Sequence, residues 1–340
     1  MPGTPAKANN AAILQSFLEA GKSTYLSGEA LAAKHKVSRV AIHARIKKLE
    51  QSGLRFEAVP RKGYRLSEEP SFLHPDLLDA YVRHSRTQIA PAVLLDETDS
   101  TNSEADRRLS AGCPAPIAIF ARYQTKGRGR LGREWHSEDP GNLYMSMGFR
   151  PGAPGTAISR FSLWAGVHLA RALGEGTGLP VMVKWPNDLH VEGKKIGGIL
   201  CEAKLELDCV QTLVFGFGLN VNQDARTLPS GLRTPATSLS TLLGKAVPLH
   251  PLAISVIQAV LAAYSDCQDP SSGTNLQQAF AATDALFGKP VQALNGCSTT
   301  RGIANGIDDQ GNLLLLTQGN QIVPIPAGDV SLVPETSQAQ

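Results

Sequence analysis

A run of alternating glycine and arginine is the stretch of this sequence best suited to hold a small anion. Residues 127–135 read GRGRLGREW. Glycine lets the backbone approach a ligand closely, and each arginine carries a permanent charge on a planar fork that matches phosphate or carboxylate. An arginine–glycine tail that binds nucleic acid has a similar composition, but it would not lie between two strand-like segments. Because apolar residues 117–121 precede the run and residues 142–147 follow it, we predict a loop that wraps a small anionic ligand.

Two further polar clusters follow apolar, strand-like segments. Residues 98–103 read TDSTNS after residues 93–97, and residues 184–188 read KWPND after residues 181–183. In the second cluster, proline and two Asx residues predict a tight turn. The first cluster has two interpretations. Either it caps a helix, which needs only one such residue, or its donors and acceptors line the ring of a small polar ligand.

Glycines inside apolar segments predict the close approach of a ligand or of another backbone. Gly197 and Gly198 lie in the predicted strand 195–202, and residues 215–222, FGFGLNVN, mix glycine with asparagine. Glycine weakens a strand interior and packs no side chain, so its presence there indicates that space is needed.

Positive charge is concentrated at the N-terminus. Residues 1–66 carry twelve Lys/Arg and four Asp/Glu, so this segment has a net charge of +8 and the remainder has a net charge of −5. A basic module on a mildly acidic body indicates a polyanionic partner for that module alone.

The basic segment has the pattern of a winged helix-turn-helix. Three short helices are predicted, the second and third capped by Ser27 and Ser38, and a hairpin follows over residues 56–66. The third helix would enter the major groove of DNA, and the wing would contact phosphates. The predicted DNA-binding residues are Ser38, Arg39, His43, Lys47, Arg61 and Lys62. The alternative is a helical protein-interaction module whose lysines are only solvated.

The chain is too long for one ordinary core, and its composition divides it into three domains. The polar, proline-bearing residues 67–75 mark a boundary, and residues 287–332 form short β-like runs typical of a small antiparallel barrel. We predict a winged helix-turn-helix domain over 1–68, a central domain over 69–285 and a small β-domain over 286–340. In the central domain, helices are expected over 158–173, ending at the glycines of 174–178, and over 248–264 and 277–285.

Cysteine usage and hydropathy predict a cytoplasmic protein. The five cysteines are scattered and form no Cys-x-x-Cys or zinc spacing, which fits reduced thiols and no metal site of the protein's own. Residues 1–10 lack the apolar core of a signal peptide. Since no run of about 18 apolar residues occurs, no membrane partner is expected.

In this order, the motifs resemble those of the bifunctional biotin–protein ligase and biotin-operon repressor family, the BirA type. The resemblance covers essentially the whole chain and rests on residues 99–102, on Gln124 with residues 127–135, and on residues 184–188 and 195–200. It implies an α+β fold: an N-terminal winged helix-turn-helix, a central mixed sheet flanked by helices as in biotin and lipoate ligases, and a C-terminal SH3-like β-barrel. In one departure, Leu131 stands where a basic residue is often seen.

A two-step reaction is implied by the resemblance. The carboxylate of biotin attacks the α-phosphate of ATP, giving biotinyl-5′-AMP and pyrophosphate. A lysine of a biotin carboxyl carrier protein then attacks the mixed anhydride. Because two anions must meet in the first step, cations must neutralise their repulsion, and Mg²⁺ bound to ATP shares this duty.

The resemblance also implies roles for individual residues. The catalytic set is Arg128, Lys195 and Asp188, where Asp188 orients or deprotonates the incoming amine or only caps a turn. The biotin-binding set is Ser100, Thr101, Asn102, Gln124, Arg128, Gly129, Arg130, Lys195 and Gly198. The ATP-binding set is Arg130, Arg133, Trp135, Asn187, Lys195 and Asn220, where Trp135 covers the nucleotide or only packs the loop.

Two other functions remain open. A non-catalytic, biotin-sensing repressor is one, although the presence of Arg128, Arg130 and Lys195 argues against it. The other is a lipoate–protein ligase, but the Ser-Thr-Asn set suits the ureido ring of biotin better than an apolar dithiolane. The resemblance further implies operator DNA as a partner, ordering of the glycine/arginine loop by ligand, and a ligand-induced homodimer.

Overall fold

Three units follow one another along the chain: a helical module with a hairpin, a central mixed sheet and a small antiparallel sheet. The computed structural model describes residues 9–89, 92–151, 153–154, 157–206, 209–229, 231–268, 275–295 and 298–333, with the backbone alone at 153–154 and 157–159. None of the helices in these ranges is long and apolar enough to cross a membrane.

The first unit is the predicted winged helix-turn-helix. The hydroxyls of Ser27 and Ser38 cap its second and third helices by accepting the backbone N–H of Ala30 at 3.0 Å and of Ala41 at 3.1 Å. Helices α1, α2 and α3 cover Asn10–Ala20, Gly28–His35 and Arg39–Gln51, and the wing consists of β1 (Arg55–Val59) and β2 (Gly63–Glu68).

Helix α4 (Pro75–Ser85) joins the winged unit to the central unit. Within the predicted boundary 67–75, residues 67–68 complete β2 and Pro75 begins α4. Leu77 of α4 is fully buried in one apolar cluster with Leu14 of α1 and Leu49 of α3. The boundary is therefore a short, packed connection and not a free linker.

The central unit is a mixed sheet of eight strands with helices around it, as predicted. Its strands are β3 (Ala92–Thr98), β4 (Ile117–Gln124), β5 (Leu143–Phe149), β6 (Ala153–Pro154), β7 (Met182–Lys184), β8 (Asp188–Val191), β9 (Lys194–Glu206) and β10 (Cys209–Leu219). The order is β3-β4-β5-β10-β9-β8-β7, with β6 paired to β10, and β3 with β4 is the parallel pair. The helices are α5 (Thr101–Ser110), α6 (Ala157–Thr177), α7 (Leu239–Leu243), α8 (Leu249–Gln268) and α9 (Leu276–Ala281).

Three predicted helix ends are wrong. Helix α8 ends at Gln268 instead of residue 264, and its added turn is held to α6 by the 2.8 Å hydrogen bond between Asp266 and His168. Helix α6 continues through Gly174 to Thr177, because an interior glycine costs a helix only about 1 kcal/mol and packing outweighs that. The chain leaves the helix at Gly178, whose φ of +76° favours glycine. Helix α9 ends at Ala281 instead of residue 285, because the backbones of residues 283 and 285 form hydrogen bonds with Val183 of β7.

A buried hydrogen-bond network holds the boundary stretch against α8. His250 is fully buried and accepts the backbone N–H of His74 at Nε2 (2.9 Å), so its Nδ1 carries the proton and donates to Glu69 (3.0 Å). The Tyr81 hydroxyl donates to the other Glu69 oxygen at 2.6 Å. Burial acts to raise the pKa of Glu69, but these two hydrogen bonds together with nearby positive charge leave the pKa lowered.

The third unit is the predicted small antiparallel β-domain, and it packs on the central unit. Its strands are β11 (Pro290–Asn295), β12 (Ser298–Ile307), β13 (Leu313–Leu316), β14 (Ile322–Ile325) and β15 (Asp329–Leu332), in the order β14-β13-β12-β11-β15. Buried residues such as Val291 and Leu313 belong to the same apolar cluster as the helices of the central unit. The Trp185 indole also donates to the carbonyl oxygen of Gly311 at 3.0 Å.

Candidate active site

A cavity of about 140 Å³ lies between the ends of β7 to β10 and the loop 127–135. It brings together motifs that are far apart in the sequence. The predicted small-ligand residues that line it are Ser100, Thr101, Asn102, Gln124, Arg128, Gly129, Arg130, Arg133, Trp135, Asn187, Asp188, Lys195 and Gly198.

Hydrogen bonds organise the polar side of the cavity. The Gln124 side-chain oxygen accepts the backbone N–H of Thr101 at 2.8 Å and its hydroxyl at 3.1 Å. Ser146 donates to Thr101 Oγ1 at 2.7 Å or to Asn102 Oδ1 at 2.6 Å. Asn102 donates to Glu202 at 2.7 Å. These side chains are held in fixed orientations, as recognition of a polar ring requires.

The N-terminus of α5 bears on the two interpretations of residues 98–103. Ser100 occupies the N-cap position but makes no side-chain capping hydrogen bond. Ser100, Thr101 and Asn102 are all at least nine-tenths buried and line the cavity. Capping alone therefore does not explain this cluster, and the geometry favours contact with a ligand.

Cations that line the cavity are paired with oxygen atoms. Lys195 Nζ lies 2.8 Å from Asp188 Oδ1, and Arg130 donates to the Asn187 side-chain oxygen at 3.2 Å. Arg128 lies 3.1 Å from Glu202. Burial lowers the pKa of Arg130, although nearby carboxylates oppose that effect. These cations are therefore oriented before an anionic ligand binds.

Strand register explains why Asp188 meets Lys195. The KWPND turn joins β7 to β8 and places Lys184 opposite Asp188. Asp188 in turn faces Gly198 of β9, and an irregularity between Leu189 and His190 shifts the pairing so that Lys195 faces His190. The shift brings the Lys195 side chain beside the carboxylate.

Glycines on β9 and β10 leave space for the Trp135 ring, whereas their positions in the sequence predicted a ligand or another backbone. The predicted approach of a backbone is found at Gly197, where a Cβ would lie 2.9 Å from the Gly218 carbonyl oxygen. A Cβ on Gly218 would lie 2.3 Å from the indole, and one on Gly198 would lie 3.2 Å from it. Lys195 Nζ lies 5.3 Å from the ring centroid, within range of a cation–π contact. Trp135 is thus a wall of the cavity, although its contact with a nucleotide stays a prediction.

The structure adds cavity residues that the sequence analysis did not identify. Lys184 and Arg233 line the cavity, as does Asp329 of the small β-domain. Arg233 and Asp329 belong to no recognisable motif, so only the fold reveals them. Lys184 stood within a motif, but nothing in the sequence gave it a role separate from that of its neighbours.

One predicted ligand residue lies apart from the cavity. Asn220 is only 6% exposed, and its side-chain amide donates to the carbonyl oxygen of Thr237 at 3.1 Å. Its backbone N–H donates to the Ile196 carbonyl, so Asn220 supports the strand that carries Lys195. A direct contact of Asn220 with ATP stays a prediction.

The predicted DNA-binding residues lie together on the winged unit. Arg39, His43 and Lys47 are exposed on α3, and Arg61 and Lys62 are exposed at the tip of the wing. Ser38, which caps α3, is exposed at its start. A 3.0 Å hydrogen bond between His43 and Tyr64 ties α3 to the wing. The two basic surfaces are therefore held in a fixed relation.

Comparisons with known proteins match all three units. Residues 94–220 match the biotin/lipoate A/B protein ligase family, residues 11–65 match an HTH domain, and residues 286–333 match the biotin protein ligase C-terminal domain. A solved structure, the biotin protein ligase from Aquifex aeolicus in complex with biotin and ATP, superposes with a TM-score of 0.62 at 30% identity. That match covers 71% of this chain and 98% of that one.

Two curated relatives align over nearly the whole chain. The bifunctional ligase/repressor BirA of Bacillus subtilis (strain 168) is 31% identical over 323 residues, which is 94% of this chain and 97% of the relative. The bifunctional ligase/repressor BirA of Escherichia coli (strain K12) is 31% identical over 306 residues, which is 90% and 92% of the two chains.

The fold and the cavity define a ligase domain of the biotin/lipoate class that carries an N-terminal winged helix-turn-helix. Similarity to known proteins across all three units then identifies one family within this class. The chain belongs to the family of bifunctional biotin ligase/repressors of the BirA type.

Substitution of Gly218 tests the placement of Trp135. Gly218→Ala puts a methyl group in the space of the indole and should displace the ring, while Trp164 and Trp185 stay buried. We expect a change in intrinsic tryptophan fluorescence with little change in melting temperature. Gly176→Ala is the matched control, since a Cβ there meets nothing within 4 Å. Identical spectra for the two variants would contradict this placement.

Proposed function

We propose that this protein activates biotin with ATP as biotinyl-5′-AMP, transfers the biotinyl group to a lysine of a biotin carboxyl carrier protein, and represses transcription through its N-terminal domain. The observation that carries the proposal is the convergence of Lys195, Arg128 and Arg130 with the polar Ser100–Asn102 set in one cavity. Membership in the BirA-type family supports the same reaction.

In the first step, a carboxylate oxygen of biotin forms a bond to the α-phosphorus of ATP. The bond from that phosphorus to the bridging oxygen of the β-phosphate breaks, and pyrophosphate leaves with the electron pair. Lys195, Arg128 and Arg130 reduce the repulsion between the two anions and stabilise the charge that develops on the phosphoryl oxygens. Because Arg128 and Arg130 are already hydrogen-bonded in the cavity, they need little reorganisation, whereas Lys195 must exchange Asp188 for the ligand anion.

In the second step, the neutral amine of the carrier lysine attacks the acyl carbon, and AMP leaves with the bridging oxygen. Asp188 is the carboxylate closest to Lys195, at 2.8 Å. We propose that a ligand anion takes over Lys195 and frees Asp188 to orient the incoming ammonium group and accept its proton. The alternative role, a turn-capping aspartate, predicts no effect on transfer beyond loss of stability.

Magnesium enters as part of its complex with ATP. None of the described residues forms a group of three or more His, Cys, Asp or Glu that could hold a metal ion. Asp188 and Asp329 line the cavity but are both engaged with cations. Phosphate oxygens and water suit Mg²⁺, so we expect them to supply most of its ligands. When bound, the ion withdraws charge from the leaving pyrophosphate.

A lipoate ligase is the second candidate, because the matched family includes lipoate ligases. The polar network of Thr101, Asn102, Gln124 and Ser146 favours biotin. This network offers further donors and acceptors to a ureido group, whereas an apolar dithiolane would cover them without forming a hydrogen bond. Competition between biotin and lipoate in ATP–pyrophosphate exchange separates these two functions.

Removal of the central cations tests the enzymatic proposal. Lys195→Ala and Arg128→Ala should each reduce ATP–pyrophosphate exchange by roughly 100-fold or more, since each removes charge stabilisation at the reacting oxygens. Lys194→Ala is the matched control, because Lys194 is the exposed neighbour on the same strand.

A streptavidin blot of a carrier domain after incubation with biotin and ATP then reports transfer. Full activity in both cavity variants would refute the assigned roles, and no labelling by the unaltered protein would favour the non-catalytic repressor.

The winged unit supports a second role in DNA binding. Its exposed basic residues lie on α3 and on the wing, which are the two elements that contact the duplex in this motif. We propose that Arg39, His43 and Lys47 face the major groove and that Arg61 and Lys62 contact phosphates. A cytoplasmic location belongs to the same proposal, and the free thiols of Cys113, Cys201 and Cys209 support it.

Salt dependence distinguishes the proposed wing contacts. Arg61→Ala combined with Lys62→Ala should weaken binding to every DNA sequence by a similar factor and reduce the salt slope by about two. The exposed Lys245 of the central unit, replaced by Ala, serves as the control. Fluorescence anisotropy over a range of salt concentrations measures both quantities. An unchanged slope would remove the wing from the DNA interface.

We also propose that ligand binding orders the loop 127–135 and induces a homodimer that binds operator DNA. The resemblance to the BirA type supports this coupling. Sedimentation velocity with and without biotin and ATP should show a monomer alone and a dimer with both ligands. A monomer in both conditions would exclude ligand-induced dimerisation.

A further inference from the structure

One carboxylate of the small β-domain takes part in the cavity of the central unit. Asp329 accepts a hydrogen bond from Arg133 Nη1 at 3.1 Å and a second one from Arg133 Nη2. It also accepts one from Arg233 Nη1 at 2.6 Å. A single side chain therefore links the loop 127–135 to the segment after β10 that carries Arg233.

The backbone of the β-domain fixes the position of this carboxylate. Asp329 begins β15 and pairs with Leu294 of β11. Gly328 precedes it with a φ of +138°, and a Cβ there would lie 2.4 Å from the Leu294 carbonyl oxygen. Only glycine fits that close approach. The Asp329 side chain is 18% exposed, so both the sheet and its partners restrict its movement.

Both arginines keep donors for a further anion. A guanidinium group has five N–H donors, and Asp329 uses two from Arg133 and one from Arg233. Both arginines line the cavity, with side chains about half exposed. The hydrogen bond from Arg133 lowers the pKa of Asp329, and Arg233 adds to this effect, so the carboxylate remains charged at neutral pH.

We propose that Asp329 is a positioning residue for the polyphosphate of ATP. It holds Arg133 and Arg233 side by side, and their remaining N–H groups bind the β- and γ-phosphates while both stay attached to Asp329. Arg233 is thereby a second polyphosphate ligand beside Arg133. This inference deepens the proposed function, on which it rests, because it makes the small β-domain part of the ATP site.

Replacement of one carboxylate oxygen tests this inference in the full-length protein. Asp329→Asn removes the charge at nearly constant volume, and Asp329→Glu restores it. Asp309→Asn makes the same change at an exposed turn of the same domain. Calorimetric titration of ATP with Mg²⁺ should show affinity about tenfold weaker for Asp329→Asn, mostly restored in Asp329→Glu, and unchanged in Asp309→Asn. Biotin affinity should be the same in all four proteins.

Trypsin sensitivity supplies a second readout, because the loop 127–135 contains three arginines. Without ligand, the loop should be cleaved faster in Asp329→Asn than in Asp309→Asn. Equal ATP affinity in these two variants, or a parallel loss of biotin affinity, would overturn the inference. The titration measures ATP binding and requires no reaction. If the unaltered protein formed no pyrophosphate, the proposed function would be wrong, but the ATP affinities of the variants would still test the role of Asp329.

Discussion

Mutual repulsion among cations is the constraint on which the rest of the structure depends. Among the described residues that line the cavity, six have a basic side chain: Arg128, Arg130, Arg133, Lys184, Lys195 and Arg233. Carboxylates divide this charge into separate pairs and clusters: Asp188 binds Lys195, Asp329 binds Arg133 and Arg233, and Glu202 binds Arg128. This arrangement orients the cations before a ligand binds, so less of the binding free energy is lost in bringing them together.

The need to bring these charges together explains the contribution of each unit. The loop 127–135 lies between β4 and β5, whereas Asp188 of β8 and Lys195 of β9 come from neighbouring strands and meet through their side chains at 2.8 Å. Asp329 comes from the small β-domain, which is also joined to the KWPND turn through the Trp185–Gly311 hydrogen bond. The cavity is thus lined by residues of the small domain as well as of the central sheet. The winged unit stands apart from the cavity but is packed through α4 and the buried His250 network.

Local signals predicted much of this structure. Ser27 and Ser38 mark helix starts because their hydroxyls satisfy local backbone N–H groups. Gly198 and Gly218 indicate close approach because glycine is unfavourable in strands, and Trp135 occupies the space. Glu202, Arg233 and Asp329 could not be predicted, since isolated charged residues carry no signal until strand register places them beside a partner. The missed end of α6 has a similar cause, because packing outweighs the cost of two glycines.

The central claim is that this cavity joins the carboxylate of biotin to the α-phosphorus of ATP. Biotin labelled with ¹⁸O in its carboxylate tests it most directly, followed through a full turnover with a carrier protein and mass spectrometry of every product. If the carboxylate attacks the α-phosphorus and the amine then attacks the acyl carbon, one labelled oxygen must leave in AMP. Label in pyrophosphate or inorganic phosphate, or unlabelled AMP beside biotinylated carrier, would contradict the account.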